Sequence, residues 1–129
     1  MSEDLTKEID AALELAVSAG KVVLEKRGTA EVTKKAGGEP VTEADLAANR
    51  LIVAGLHARF PADAILSEEL VSDPIRLKSR RVWIIDPIDG TREYIDGTTD
   101  FAVQIGLAID GVPVLGAVNQ AATHRLFWS

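Results

Sequence analysis

No cysteine occurs among the 129 residues of this chain, which excludes disulfides and thiolate metal sites alike. Basic residues are also in short supply: 14 Lys and Arg stand against 20 Asp and Glu, for a net charge of −6. Gripping a nucleic-acid polymer requires the opposite balance, because Lys and Arg must neutralise phosphates, so no such partner is expected. No apolar run approaches the roughly 20 residues that span a bilayer, and no membrane partner is expected either. The opening Met1-Ser2-Glu3-Asp4-Leu5 lacks the basic-then-apolar order of a signal peptide. Repeats and low-complexity tracts are missing too. These absences lead to the expectation of a cytoplasmic protein. What remains is the balance of a globular domain, 47% hydrophobic and 26% charged, in a length that suits one folded unit.

Residues 3–26 carry apolar side chains at Leu5, Ile9, Ala12, Leu13, Ala16, Val17, Val22, Val23 and Leu24, the spacing of a helix with one buried stripe. Gly28 follows as a stop. A short strand is expected over 31–34, then a loop at Lys35-Ala36-Gly37-Gly38-Glu39-Pro40. A second helix is expected from Thr42 to about Phe60, with Leu46, Leu51, Ile52, Leu56 and Phe60 on its apolar face and Pro61 closing it. The period then changes to that of strands. Ala64-Ile65-Leu66 is a short apolar run. Val82-Trp83-Ile84-Ile85 is apolar throughout, which predicts a strand covered on both faces. Three antiparallel strands follow over 101–109, 112–118 and 125–128, the first two joined by the hairpin signal Asp110-Gly111. The fold class is α+β: two helices on a largely antiparallel sheet.

Three groups of polar residues punctuate this layout. Trp83-Ile84-Ile85-Asp86-Pro87-Ile88-Asp89-Gly90-Thr91 places a carboxylate at a strand end and a second one three residues later. On a tight turn, Asp86 and Asp89 could bracket hard cations, and the Ile88 carbonyl could add a further oxygen, the donor type that Mg²⁺ prefers. A helix starting at Thr91 would offer N–H groups to a phosphate. Asp89 could equally cap that helix, since Asp-Pro and Asp-Gly are common turn dipeptides. Ser67-Glu68-Glu69 sets another carboxylate pair behind an apolar strand; alone it would pass for solvated surface. Thr42 and Asp45 stand at capping-box spacing.

Taken in order, Pro40-Val41-Thr42-x-x-Asp45, Ser67-Glu68-Glu69 and Asp86-Pro87-Ile88-Asp89-Gly90-Thr91 resemble the inositol monophosphatase superfamily. Thr91-Arg92-Glu93-Tyr94 is closer to its 3′(2′),5′-bisphosphate nucleotidase branch. The resemblance implies the N-terminal part of a layered αβαβα sugar-phosphatase fold, with residues 1–129 as its metal-binding domain. The C-terminal domain, and a later Trp-Asp-x-Ala-Ala element whose aspartate completes the second metal site, have no counterpart here. It implies a phosphomonoesterase using two or three Mg²⁺ ions, or Mn²⁺, to activate water. The substrate would be a small phosphorylated metabolite, foremost the 3′(2′),5′-bisphosphate nucleotide hydrolysed to AMP, with inositol monophosphate as the alternative. Glu68, Glu69, Asp86, Ile88 and Asp89 would hold metal. Asp45, Glu68 and Thr91 would be catalytic, and Asp89, Gly90, Thr91 and Arg92 would meet the substrate. A homodimer is expected, since apolar residues 126–128 form a strand with no successor.

Two rival readings fare worse on spacing. An aspartyl-phosphate enzyme of the haloacid dehalogenase type needs Asp-x-Asp, and Asp86 and Asp89 are one residue too far apart. An EF-hand loop starting at Asp86 needs a glutamate at its twelfth position, where Gly97 stands. A non-catalytic relative acting as a binding module stays open. His57 and His124 lie far from the motifs and are expected to be surface residues.

Overall fold

The computed structural model describes residues 4–26, 32–34, 40–67, 79–89, 101–123 and 125–129, with the backbone alone at 32–34, 40–42 and 89. Helix α1, Thr6–Glu25, is opened by Asp4, whose Oδ1 accepts from the Thr6 backbone N–H at 3.0 Å and from its hydroxyl at 2.6 Å. These bonds hold the Asp4 carboxyl below its ordinary value, the side-chain bond contributing most. Strands β1, Val32–Lys34, and β2, Pro40–Thr42, form a separate antiparallel pair. β2 runs straight into α2, Glu43–Arg59. A five-stranded sheet follows in spatial order β3 (Ala64–Ser67), β4 (Arg81–Asp89), β5 (Ala102–Ile109), β6 (Val112–Gln120) and β7 (Arg125–Trp128). β3 is parallel to β4; every other pairing is antiparallel. The fold is thus α+β, two helices on a mixed, mostly antiparallel sheet.

The helices lie antiparallel on one face of that sheet, α1 over β5 and β6, α2 over β4. Ion pairs pin both ends of the helix pair, Lys26–Glu43 at 3.4 Å and Arg59–Glu14 at 3.0 Å. Each is exposed and contributes at most about 1 kcal/mol. Small residues set the spacing instead. A Cβ at Gly55 would come within 2.4 Å of a Leu15 methyl, so α2 approaches α1 closely only because glycine stands there.

The buried face of α1 is Ala11, Ala12, Leu15, Ala16, Ala19, Gly20 and Val23, with Glu8 at its start, and Val17 is exposed. The expected stripe therefore held at Ala12, Ala16 and Val23 and missed Leu15 and Ala19. On α2 the buried face is Ala44, Asp45, Ala48, Asn49, Ile52 and Leu56, while Leu46 is exposed. Alanines bury because the helices pack too closely for larger side chains.

The expectation that β4 is covered on both faces is corrected. Trp83 is fully buried under the helices, whereas Ile84 is 47% exposed. Successive strand side chains point to opposite faces, and among the described residues nothing packs on the second face. The Asp110-Gly111 hairpin is present as read. Both residues have positive φ, 51° and 79°, which a two-residue turn of the favoured hand requires and which Asp and Gly tolerate.

Candidate active site

Two ends of the sheet carry polar chemistry, and one of them holds Asp86, which the sequence singled out. β3 and β4 run parallel with Ser67 beside Ile85, so β3 ends level with the residue before Asp86. Neighbouring strands lie about 4.8 Å apart. The expected turn after Asp86 is corrected: Asp86-Pro87-Ile88-Asp89 remains in β4 as a bulge. Asp86 pairs with Gln104 and Asp89 with Ala102, three steps on β4 against two on β5. Pro87 has no N–H to give a ladder, and a bulge is where a strand accommodates that. Pro87 and Ile88 are buried and fix the segment in the core, while Asp86 stays half-buried.

α2 comes to the same end from above. Asp45, in its first turn, is 2% exposed, and Asn49 sits one turn further on the same face. Ser67 Oγ donates to Asn49 Oδ1 at 2.6 Å within the core. This bond ties α2 to the last residue of β3 and sets Asp45 beyond it, towards the ends of β3 and β4. Asn49 was not singled out in the sequence; its signal was the four-residue spacing from Asp45. A carboxylate in a helix's first turn is also favoured by the helix dipole.

Of the residues expected to act, Asp45, Asp86, Ile88 and the backbone of Asp89 are thus brought to one end of the sheet. Glu68, Glu69, Gly90, Thr91 and Arg92 lie outside the described residues. Among the described residues no three Asp, Glu, His or Cys side chains stand close enough to hold a metal ion. Of the expected metal ligands, the Asp86 carboxylate and the Ile88 carbonyl are described; both are oxygens, the donor type that Mg²⁺ and Mn²⁺ prefer. His57 is exposed on α2; His124 lies outside the described residues.

The other end of the sheet holds a network that sequence reading missed. Arg81, opening β4, donates to Glu8 Oε2 at 2.8 Å and to Asp63 Oδ2 at 3.0 and 3.1 Å. Trp83 Nε1 donates to the same Asp63 oxygen at 2.9 Å. The guanidinium lies 5.7 Å from the Phe60 ring centre, and Phe60 is 5.5 Å from Trp83. Burial opposes the Arg81 charge, yet hydrogen bonds to Glu8 and Asp63 outweigh it and leave its pKa raised. Five residues of strand separate this clamp from Asp86, roughly 17 Å at the usual rise.

Comparison with known proteins matches residues 4–129 to the inositol monophosphatase family. The histidinol-phosphatase of Chlorobaculum parvum is 42% identical over 125 residues, 95% of this chain and 48% of that protein. The 3′(2′),5′-bisphosphate nucleotidase CysQ of Escherichia coli O157:H7 is 38% identical over 126 residues, 92% of this chain and 50% of its own. Among solved structures, CysQ from Bacteroides thetaiotaomicron superposes with a TM-score of 0.81 at 32% identity, over 98% of this chain and 47% of that one. The chain spans about half the length of the curated relatives it matches.

Proposed function

The chain belongs to the inositol monophosphatase family, and on that premise we propose that residues 1–129 are the N-terminal metal-binding domain of a Mg²⁺-dependent phosphomonoesterase. One observation carries the reading: the parallel β3–β4 register, which ends β3 beside Asp86 just where the chain continues into Glu68. Glu68, Glu69, Asp86, Asp89 and the Ile88 carbonyl would hold the ions, two or three in number.

Two carboxylates about 4 Å apart repel by roughly 4 kcal/mol at an effective dielectric of 20. Four converging on one strand end would consume much of a domain's stability of about 5–15 kcal/mol. Bound Mg²⁺ offsets that repulsion, supplies positive charge for a phosphate and lowers the pKa of water. The chain's own residues do the rest. The Gly90 and Thr91 N–H groups would hold the phosphate, and Asp45, through the Thr91 hydroxyl, would take a proton from the attacking water. Attack is in line on phosphorus, and the ester oxygen leaves with its electron pair. Asp45 is buried, and the Ser67–Asn49 bond one turn away ties its helix to β3.

The substrate is the bisphosphate nucleotide, converted to AMP. Arg92-Glu93-Tyr94 and the CysQ relatives support it. Histidinol phosphate is the second reading, on the strength of the Chlorobaculum parvum relative. We place the protein in the cytoplasm; no helix among the described residues is long and apolar enough to cross a membrane. We also propose a homodimer, which the exposed Ile84, Phe127 and Trp128 on the open sheet face and its edge support. Sedimentation should give twice the chain mass, and a single-chain mass at high concentration would refute it.

The test of function is phosphate release by this chain in Mg²⁺ from 3′-phosphoadenosine 5′-phosphate, histidinol phosphate and inositol monophosphate. The nucleotide should give the highest kcat/KM, and Asp86→Asn should abolish release. No release from any of the three, with Mg²⁺ binding intact by calorimetry, would replace the enzyme with a binding module.

A further inference from the structure

Away from the carboxylates, a cleft of about 250 Å³ opens between the C-terminal half of α1 and the segment joining β6 to β7. Its walls are Val17, Leu24 and Leu126, with Gly20 and Asn119 at the floor and Lys21 at the mouth. Asn119 is 7% exposed, and its amide nitrogen is committed to the Ala16 carbonyl at 2.9 Å. Among the described residues its Oδ1 accepts no hydrogen bond. Among the described residues no fully buried side-chain oxygen or nitrogen lacks a partner, so Oδ1 has access to the cleft that Asn119 lines. An amide turned this way has an acceptor to offer to whatever enters the cleft. Gly20 leaves the room: a Cβ there would lie 2.4 Å from Asn119 Nδ2. Among the described residues Lys21 has no carboxylate within ion-pair distance, although the chain as a whole is acidic.

We infer that this cleft binds a small amphipathic anion: a compact apolar body carrying one hydroxyl donor for Asn119 Oδ1 and one carboxylate for Lys21. The apolar walls take the body, the amide at the floor fixes its inner end, and the ammonium at the mouth favours a negative charge at its outer end. Nothing in the carboxylate site is needed for this. Neither Lys21 nor Asn119 belongs to it, and Asn119 stands two strands away from β4.

The probe is 4-hydroxyphenylacetate, titrated into the ¹⁵N-labelled chain. Two analogues are run beside it: phenylacetate, which lacks the donor, and 4-hydroxyphenethyl alcohol, which lacks the charge. Amide shifts should cluster at Gly20, Ala121 and Leu126 with a millimolar dissociation constant, the order reached by a ligand of about ten heavy atoms. Both analogues should bind more weakly. Lys21→Gln, an exposed substitution that leaves the core untouched, should weaken the acid about threefold, the worth of one exposed ion pair, and leave the alcohol unchanged. Val17→Glu, in the wall of the cleft, should abolish binding of the acid. Shifts scattered over other surfaces, no shifts at all, or equal affinity of Lys21→Gln and the parent for the acid would each overturn the inference.

Discussion

Replacing Asp63 with alanine should destabilise this chain far more than a loop carboxylate ordinarily would. One oxygen of Asp63 accepts three bonds, two from Arg81 and one from Trp83 Nε1. Trp83 is fully buried, so its N–H would lose its partner without gaining water, a cost of about 1–3 kcal/mol. Breaking a fully buried ion pair costs about 3–5 kcal/mol. Arg81 keeps Glu8 and has 20% of its side chain in solvent, so only part of that applies. The sum is about 2–4 kcal/mol. For a domain of this size each kcal/mol moves Tm by roughly 3–5 °C, and a fall of roughly 6–20 °C is expected in a thermal melt. Asp63→Asn keeps an acceptor for Trp83 and should lose about half as much. Urea unfolding of the three proteins gives the free energies directly. A loss below about 1 kcal/mol for Asp63→Ala would show that Trp83 and Arg81 find other partners and that the clamp does not hold the sheet to α1.

Other perturbations probe the opposite end and the helices. Asn49→Leu removes the acceptor of the buried Ser67 hydroxyl and should cost about 1–3 kcal/mol; it should also lower kcat through misplacement of Asp45, and unchanged kcat with unchanged stability would refute that link. Mg²⁺ at about ten times its dissociation constant should stabilise the fold by about 1.4 kcal/mol, and Asp86→Asn should erase the shift; an Asp86→Asn protein stabilised as much as the parent would move the metal elsewhere. The Asp4 carboxyl is depressed from 3.8 by its bonds to Thr6. Its help to α1 is therefore present above that value and fades as pH falls through the lower folded pKa. The protection factor of the Thr6 amide, its exchange rate measured against the intrinsic rate at each pH, should fall in acid, and Asp4→Ala should remove that change in protection.

Much of the layout was legible along the chain because it is written in short-range pattern. Helical spacing marked α1 and α2, and the Asp110-Gly111 dipeptide marked its hairpin through the backbone angles it tolerates. The Asp86-Pro87-Ile88-Asp89 motif marked one strand end as chemical. Several boundaries erred by a residue or two, the ordinary fraying of helix and strand ends, but β4 runs four residues past its expected end, to Asp89, and Pro40–Thr42, expected as loop and helix start, is a strand. The larger errors concerned faces. Leu46 and Val17 matched the apolar period yet lie outside, because alanine and glycine, not leucine, fit where the two helices press together.

The sequence by itself determined the order of the two helices and of the strands of the large sheet, the absence of thiol chemistry, the family resemblance and the oxygen character of the candidate ligands, since each depends on residue identity or near neighbours. Only tertiary structure decided that β3 runs parallel to β4 in the register that meets Asp86, that Asp86–Asp89 is a bulge in a strand, and that Asn49 holds Ser67. Tertiary structure also joined Glu8, Asp63 and Arg81, separated by up to 73 positions. Contacts of that range leave no periodic trace in a chain; they exist only once packing has brought distant segments within reach of a hydrogen bond.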